Sequence, residues 1–119
     1  MISPTQRTLG YFRRRGALAA VVERYNAFVK RPDGGSGVRM DLWGFIDVLV
    51  VEPGTLGVKA LQVCRTADMA TRETKIRSEK VWPKVLVWLA AQNRVLIVGW
   101  EKRGAHSKRW TMSTREISA

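Results

Sequence analysis

Asp47 stands inside an otherwise apolar run, Phe45-Ile46-Asp47-Val48-Leu49, and fifteen residues later the chain reads Gln62-Val63-Cys64-Arg65. A carboxylate among apolar neighbours is seldom buried without a partner, a hydrogen-bond network or a metal ion. Alternation along a strand sends Phe45, Asp47 and Leu49 to one side and Ile46, Val48 and Val50 to the other, while Ala60, Gln62 and Cys64 share one side of a following strand. If the two strands pair as a hairpin, Asp47 and Gln62 come close enough to hold one ion. Mg²⁺ or Mn²⁺ suits such donors, because a hard cation takes carboxylate, amide-carbonyl and water oxygens. The Gln62 amide brings no charge, and the soft Cys64 thiol is a poor ligand for Mg²⁺. Asp41 is a second carboxylate that either joins this set or caps the turn ahead of the strand.

Around this pair the chain is strongly basic: 21 Lys and Arg against 10 Asp and Glu, a net charge of +11. That excess makes nucleic acid the leading partner, ahead of anionic membranes or acidic protein surfaces. Arg13, Arg14 and Arg15 end the first helix, where they suit its dipole as well as a phosphate backbone. Arg39, just before the acidic run, is counted with them. Arg72 and Lys75 lie on a later helix from which they reach a phosphate across the site. Arg65 faces away from Gln62 on an unbroken strand and turns inward only if the strand ends at Cys64. Lys59, at the start of that strand, is too far from the triplet. Trp43, beside Asp47, is the candidate for stacking on a base. Trp82 and Trp88 read as core, and Trp100 and Trp110 as a cross-strand pair. His106 sits in a Gly-Ala-Ser loop with no acidic partner in reach and reads as a surface residue. One Cys and one His exclude an intramolecular disulfide and a zinc site of four such ligands.

The elements that must position these residues follow from periodicity and punctuation. Ser3-Pro4-Thr5-Gln6 opens a helix over 4–15 that ends at Gly16. A first strand is expected in the middle of 17–28, then a turn-rich loop over 30–37. Strands are expected over 43–51 and 58–64, with Pro53-Gly54 between them. Residues 67–92 read as helical, interrupted by Pro83. A buried strand over 94–101 and an edge strand over 109–114 complete an αβββαββ order. The chain, 119 residues with 45% hydrophobic and 26% charged, is expected to form one α/β (α+β) domain, 1–119, with a central mixed sheet flanked by helices. No segment approaches the ~18 consecutive apolar residues of a membrane span. The first residues lack a signal-peptide core, so a cytoplasmic protein is expected.

Three segments carry a resemblance: Asp41-Leu-Trp-Gly-Phe-Ile-Asp47, Leu61-Gln-Val-Cys64 and Ala70-Thr-Arg-Glu-Thr-Lys-Ile76. They resemble the PD-(D/E)xK nuclease superfamily, and most nearly its Holliday-junction-resolvase and VRR-NUC branch. Within it they are similar to small phage-borne proteins with an Asp-Leu-Phe-Gly-Phe-Ile-Asp strand and a Gln-Val-Thr triplet. The resemblance spans about residues 1–115, its specific part 41–76. It implies a restriction-endonuclease-like core and metal-dependent hydrolysis of DNA phosphodiesters, with branched (junction) DNA among the substrates. It further implies a homodimer, and a phage-encoded protein working in a bacterial host. By position, Asp47 falls on the family's metal-ligating Asp, Gln62 on its Glu and Cys64 on its Lys, with Arg65 next to the triplet; Glu23 corresponds to the extra acid that some members supply. Gln62 removes one negative charge from the metal site. Cys64 cannot act as the ammonium that positions water and offsets charge on the reacting phosphate. Three readings stay open: a nuclease with a basic surrogate for that lysine, a catalytically degenerate DNA-binding module of the same fold, and an interaction protein whose charge serves another partner.

Overall fold

Two apolar surfaces back to back organise the molecule. In the computed structural model, which describes residues 2–104 and 108–119, the chain forms α1 (Pro4–Arg14), β1 (Leu18–Val21), β2 (Arg24–Lys30), β3 (Ser36–Met40), β4 (Val48–Val51), β5 (Lys59–Arg65), α2 (Met69–Ile76), α3 (Trp82–Ala90), β6 (Arg94–Lys102) and β7 (Trp110–Ile117). Five strands make a mixed sheet in the order β1-β4-β5-β6-β7, antiparallel except for the β5–β6 pair. On one face Leu61, Val63, Val48, Val50 and Val98 pack under Phe12 and Leu9 of α1; on the other, Ala60, Cys64, Val95 and Ile97 pack against Met69, Ile76 and Val85 of α2 and α3. The fold is therefore α+β, a mixed sheet between helices. Parallel pairing of β5 with β6 demands a crossover connection, which α2 and α3 supply.

The first helix is tied at both ends. Ser3 Oγ accepts from the Gln6 backbone N–H (3.2 Å), Pro4 occupies the first turn, and Gly16 adopts φ 86° beyond the last. The Trp100 indole N–H donates to Thr8 Oγ1 (2.9 Å), fastening α1 to β6. At β6 the opposite helix comes even closer. A Cβ added to Gly99 would collide with the Met69 side chain and the Thr66 backbone, so only glycine lets the turn Thr66–Asp68 and the start of α2 lie directly on the strand.

Several expected boundaries shift. The single strand expected within 17–28 is two strands: Val22 N–H still bonds the Asp47 carbonyl (2.9 Å), but the chain then leaves the sheet and forms a separate ribbon, β2–β3. Without that insertion the element order is αβββαββ, the two helices counted together. Residues 36–37, expected in the loop, belong to β3. The strand expected over 43–51 begins only at Val48, because Trp43 (φ 55°) and Gly44 (φ 85°) both lie in the left-handed region and turn the chain back so that Leu42 pairs with Ile46. Two consecutive left-handed residues are the hallmark of a tight hairpin turn. In consequence Ile46 faces the α2–α3 side with Phe45 rather than joining Val48 and Val50. The helical stretch breaks at residues 77–81, and Pro83 sits in the first turn of α3, where its missing N–H is not needed. Trp100 and Trp110 pack on one core face, but the register pairs Trp100 with Met112 and Trp110 with Lys102, so the two indoles are diagonal neighbours. Trp82 and Trp88 pack at the edge of the other core. His106 lies outside the described residues. Among the described residues no helix is long and apolar enough to cross a membrane.

Candidate functional site

Several chain segments deliver side chains to one cleft of about 950 Å³. Glu23 stands where the chain leaves β1, Asp41 where it leaves β3, and Asp47 one residue before β4. The left-handed turn at Trp43-Gly44 explains why the last two meet: it folds the segment back on itself and sets its two ends side by side. Glu23, Asp41 and Asp47 each offer an oxygen within 4.8 Å of the others, the one such group of acidic, His or Cys side chains among the described residues. β5 forms the floor with Val63 and Cys64; α2 brings Arg72 and Lys75 to one side, the ribbon brings Tyr25 and Arg39 to another, and the first turn of α1 borders the opening. That turn carries no acidic residue, so the positive end of the helix dipole faces the cleft unopposed.

The carboxylates are unequal. Asp47 is buried, with one oxygen accepting from the Val63 backbone N–H (2.9 Å) and the other, Oδ1, without a hydrogen-bond partner. Burial first, and then a bond shared with Asp41, push its carboxyl from the ordinary 3.8 up to about 8. Burial also opposes charge on Asp41, but bonds with Asp47, Lys75 and Gln62 outweigh it and hold Asp41 below the usual range. Two carboxylates bond directly only through a proton, and burial with this contact draws that proton to Asp47 in preference to Asp41. The Lys75 ammonium donates to Asp41 (2.9 Å), and the Arg39 guanidinium to Glu23 (3.3 Å).

Gln62, fully buried, lies against this acidic group. Its amide N–H₂ donates to Asp41 (3.1 Å) and towards the Phe45 carbonyl (3.4 Å), while Arg72 donates to its oxygen (3.4 Å). These partners orient Asp41 and turn the amide oxygen of Gln62 towards Arg72, so Glu23 rather than Gln62 completes the set of oxygens. Cys64 is a buried part of the floor; desolvation raises its thiol pKa, partly offset by Arg72. Arg65 stands at the cleft edge, 76% exposed and paired with Asp68 (3.1 Å), so it does not supply a cation to the acids.

The remaining expected contacts scatter. Arg13, Arg14 and Arg15 lie at the opposite end of α1, about 15 Å of helix from its first turn. Arg13 donates to the Ala19 carbonyl (2.7 Å) and Arg15 covers the Tyr11 ring, so these two serve the helix end. Trp43 lies outside the cleft, half exposed against Trp88 (6.2 Å between rings). Lys59 pairs with Glu52, away from the acids.

The chain matches no protein-family model, and no significant match is found among curated proteins or solved structures. What the cleft does is therefore read from its own chemistry. A divalent cation fits the residues present: three carboxylates with oxygens close together, and a buried carboxylate oxygen with no partner. Of the three, the role of Glu23 was the least legible in sequence, because nothing local shows that the chain leaves the sheet there. Gly44 was the available signal for the turn that joins Asp41 to Asp47.

Proposed function

We propose that the protein is a divergent PD-(D/E)xK-type nuclease that hydrolyses DNA phosphodiesters with Mg²⁺ or Mn²⁺ held by Glu23, Asp41 and Asp47. The observation that carries this reading is the meeting of those three carboxylates beneath a basic helix, with Asp47 Oδ1 left unpartnered. A bound divalent ion would supply charge neutralisation and a water acidified for attack on phosphorus. The chain's own residues do the rest. Lys75, from α2, stands beside Asp41 and is the surrogate for the lysine that Cys64 replaces. Arg72 holds Gln62, and through it Asp41, in place. Arg72 and Arg39, with the first turn of α1, offer positive charge to a phosphate entering from either side.

A second reading, a DNA-binding module without turnover, is favoured by one specific feature: Asp41 is already paired with Lys75 (2.9 Å), which offsets its charge without a metal. Cleavage assays on junction, duplex and single-stranded DNA with Mn²⁺ decide between them. The nuclease reading expects metal-dependent cleavage that falls at least ~100-fold in Asp47→Asn. A folded, DNA-binding protein that cuts none of these substrates with Mg²⁺ or Mn²⁺ supports the module.

A further inference from the structure

The β2–β3 ribbon is unusual in having almost nothing beneath it. Six of the seven β2 residues are exposed, and Phe28 is 93% exposed. Two strands alone are marginal in water, so this ribbon is held by its own devices. The Asp33 carboxylate accepts from the Gly35 N–H (2.9 Å) and the Arg31 guanidinium (3.2 Å), closing the turn. Gly37, at φ 98°, leaves the space that the Tyr25 ring occupies, and a Cβ there would strike the Tyr25 hydroxyl. Tyr25 and Arg39, opposite each other in the register, line the acidic cleft. The pairing then slips between Asn26 and Lys30. An irregularity of this kind re-aims the side chains near it, and here it spans the position of Phe28.

The charge of the ribbon is as one-sided as its exposure. Residues 24–40 carry Arg24, Lys30, Arg31 and Arg39 against the single acid Asp33. Arg24 and Lys30 have no acidic partner among the described residues. Arg24 borders Glu23 of the acidic group, and Phe28 lies about 13 Å beyond Arg24 along an extended strand. A basic strip with an uncovered aromatic ring, starting one residue beyond Glu23 of the acidic group, has the complement of a nucleic-acid strand: charge for the backbone and a flat apolar face for a base.

We propose that the β2–β3 ribbon is an arm that grips DNA beside the cleft, with Phe28 stacking on an unpaired base and Arg24 and Lys30 following the backbone. This rests on the reading of the cleft as a DNA site and adds its substrate class: DNA with unpaired bases next to the phosphate being bound, such as a single strand or the branch of a fork. In an intact duplex every base already stacks on its neighbours and offers Phe28 no open face, so the arm separates the two kinds of substrate.

The test compares wild type, Phe28→Ala, Phe28→Trp and Lys30→Ala for binding to a single-stranded, a forked and a fully paired oligonucleotide, with Ca²⁺ to prevent turnover. Phe28 touches no core cluster, and circular dichroism checks that each variant is folded. Phe28→Ala is expected to lose about 5- to 150-fold on the single strand and the fork and less than about twofold on the duplex, with Phe28→Trp restoring affinity. Lys30→Ala should lower the salt dependence by about one unit of slope on all three. If wild type binds and cleaves DNA but Phe28→Ala matches it on every substrate, or loses equally on all three, the arm is wrong and the cleft reading stands. Sedimentation showing that Phe28→Ala breaks a dimer without changing DNA affinity would assign the ribbon to self-association and overturn the arm. Wild type that binds no DNA at low salt overturns both.

Discussion

On one side of the cleft α2 lies so close to β6 that Gly99 admits no side chain, and its Lys75 and Arg72 are tied to Asp41 and Gln62. On the other side the β2–β3 ribbon rests on little but itself, offering Arg39 and Tyr25 to the cleft and an uncovered Phe28 beyond it. The two walls differ in what holds them. The α2 wall is fixed by core packing, so its cations sit where they are before any ligand arrives. The ribbon wall has no core to fix it, so its side chains answer to what binds. A cleft of this construction has one wall set by packing and one free to adjust.

The sharpest way to break that contrast is to disturb each wall separately. Gly99→Val forces α2 off the strand and is expected to destabilise the protein by about 1–3 kcal/mol, read as a lower thermal midpoint. Replacing residues 26–38 by an Asn-Gly turn, which joins the opposed Tyr25 and Arg39, should change stability by no more than about 0.5 kcal/mol. If both changes lower the midpoint equally, the ribbon is part of the core and the contrast fails.

A second effect, on the fixed side, is its dependence on pH without metal. Below about pH 4 folded and unfolded chains both protonate Asp47. Between there and about pH 8 the folded chain keeps a proton that the unfolded chain has released, so the stability due to Asp47 is lost as pH rises through that window. Asp41, held low, acts in the opposite sense and loses its contribution as pH falls through the acid range. The midpoint is therefore expected to decline from about pH 5 to 8, and Asp47→Asn to flatten the decline. A midpoint that rises across this window contradicts the proton-sharing pair.

Gln62→Glu is a smaller and more pointed change. It removes the donors to Asp41 and to the Phe45 carbonyl and sets a further carboxylate against Asp41, so the metal-free protein should lose about 1–3 kcal/mol. Added Mn²⁺ should restore more stability to Gln62→Glu than to wild type, because the extra charge strengthens the ion's hold. Equal recovery in both proteins would separate Gln62 from the ion.

The sequence made most of this fold legible. Strong apolar runs marked β5 and β6, and the Ser-Pro start and Gly16 marked α1. What it hid was geometry created by turns. The run 43–51 reads as one strand, since a Trp before a Gly carries little warning that both take left-handed backbone; yet that turn is what joins Asp41 to Asp47. The Val and aromatic residues of 17–28 likewise read as one strand, because leaving the sheet at Glu23 depends on how many partners β4 offers and not on local preference. Asp47 and Lys75 could be picked by chemistry alone. Glu23 was named only through the resemblance, and its place beside Asp41 and Asp47 came from the fold.

The central claim is that Glu23, Asp41 and Asp47 together hold one divalent ion. Titration of the free protein with Mn²⁺ at pH 8, followed by the electron paramagnetic resonance signal of unbound Mn²⁺, tests it most directly. One saturable site is predicted in wild type, weakened at least ~10-fold in Glu23→Gln and abolished in a folded Asp47→Asn protein. Absence of a site in wild type, or a titration that Asp47→Asn leaves unchanged, would contradict the account.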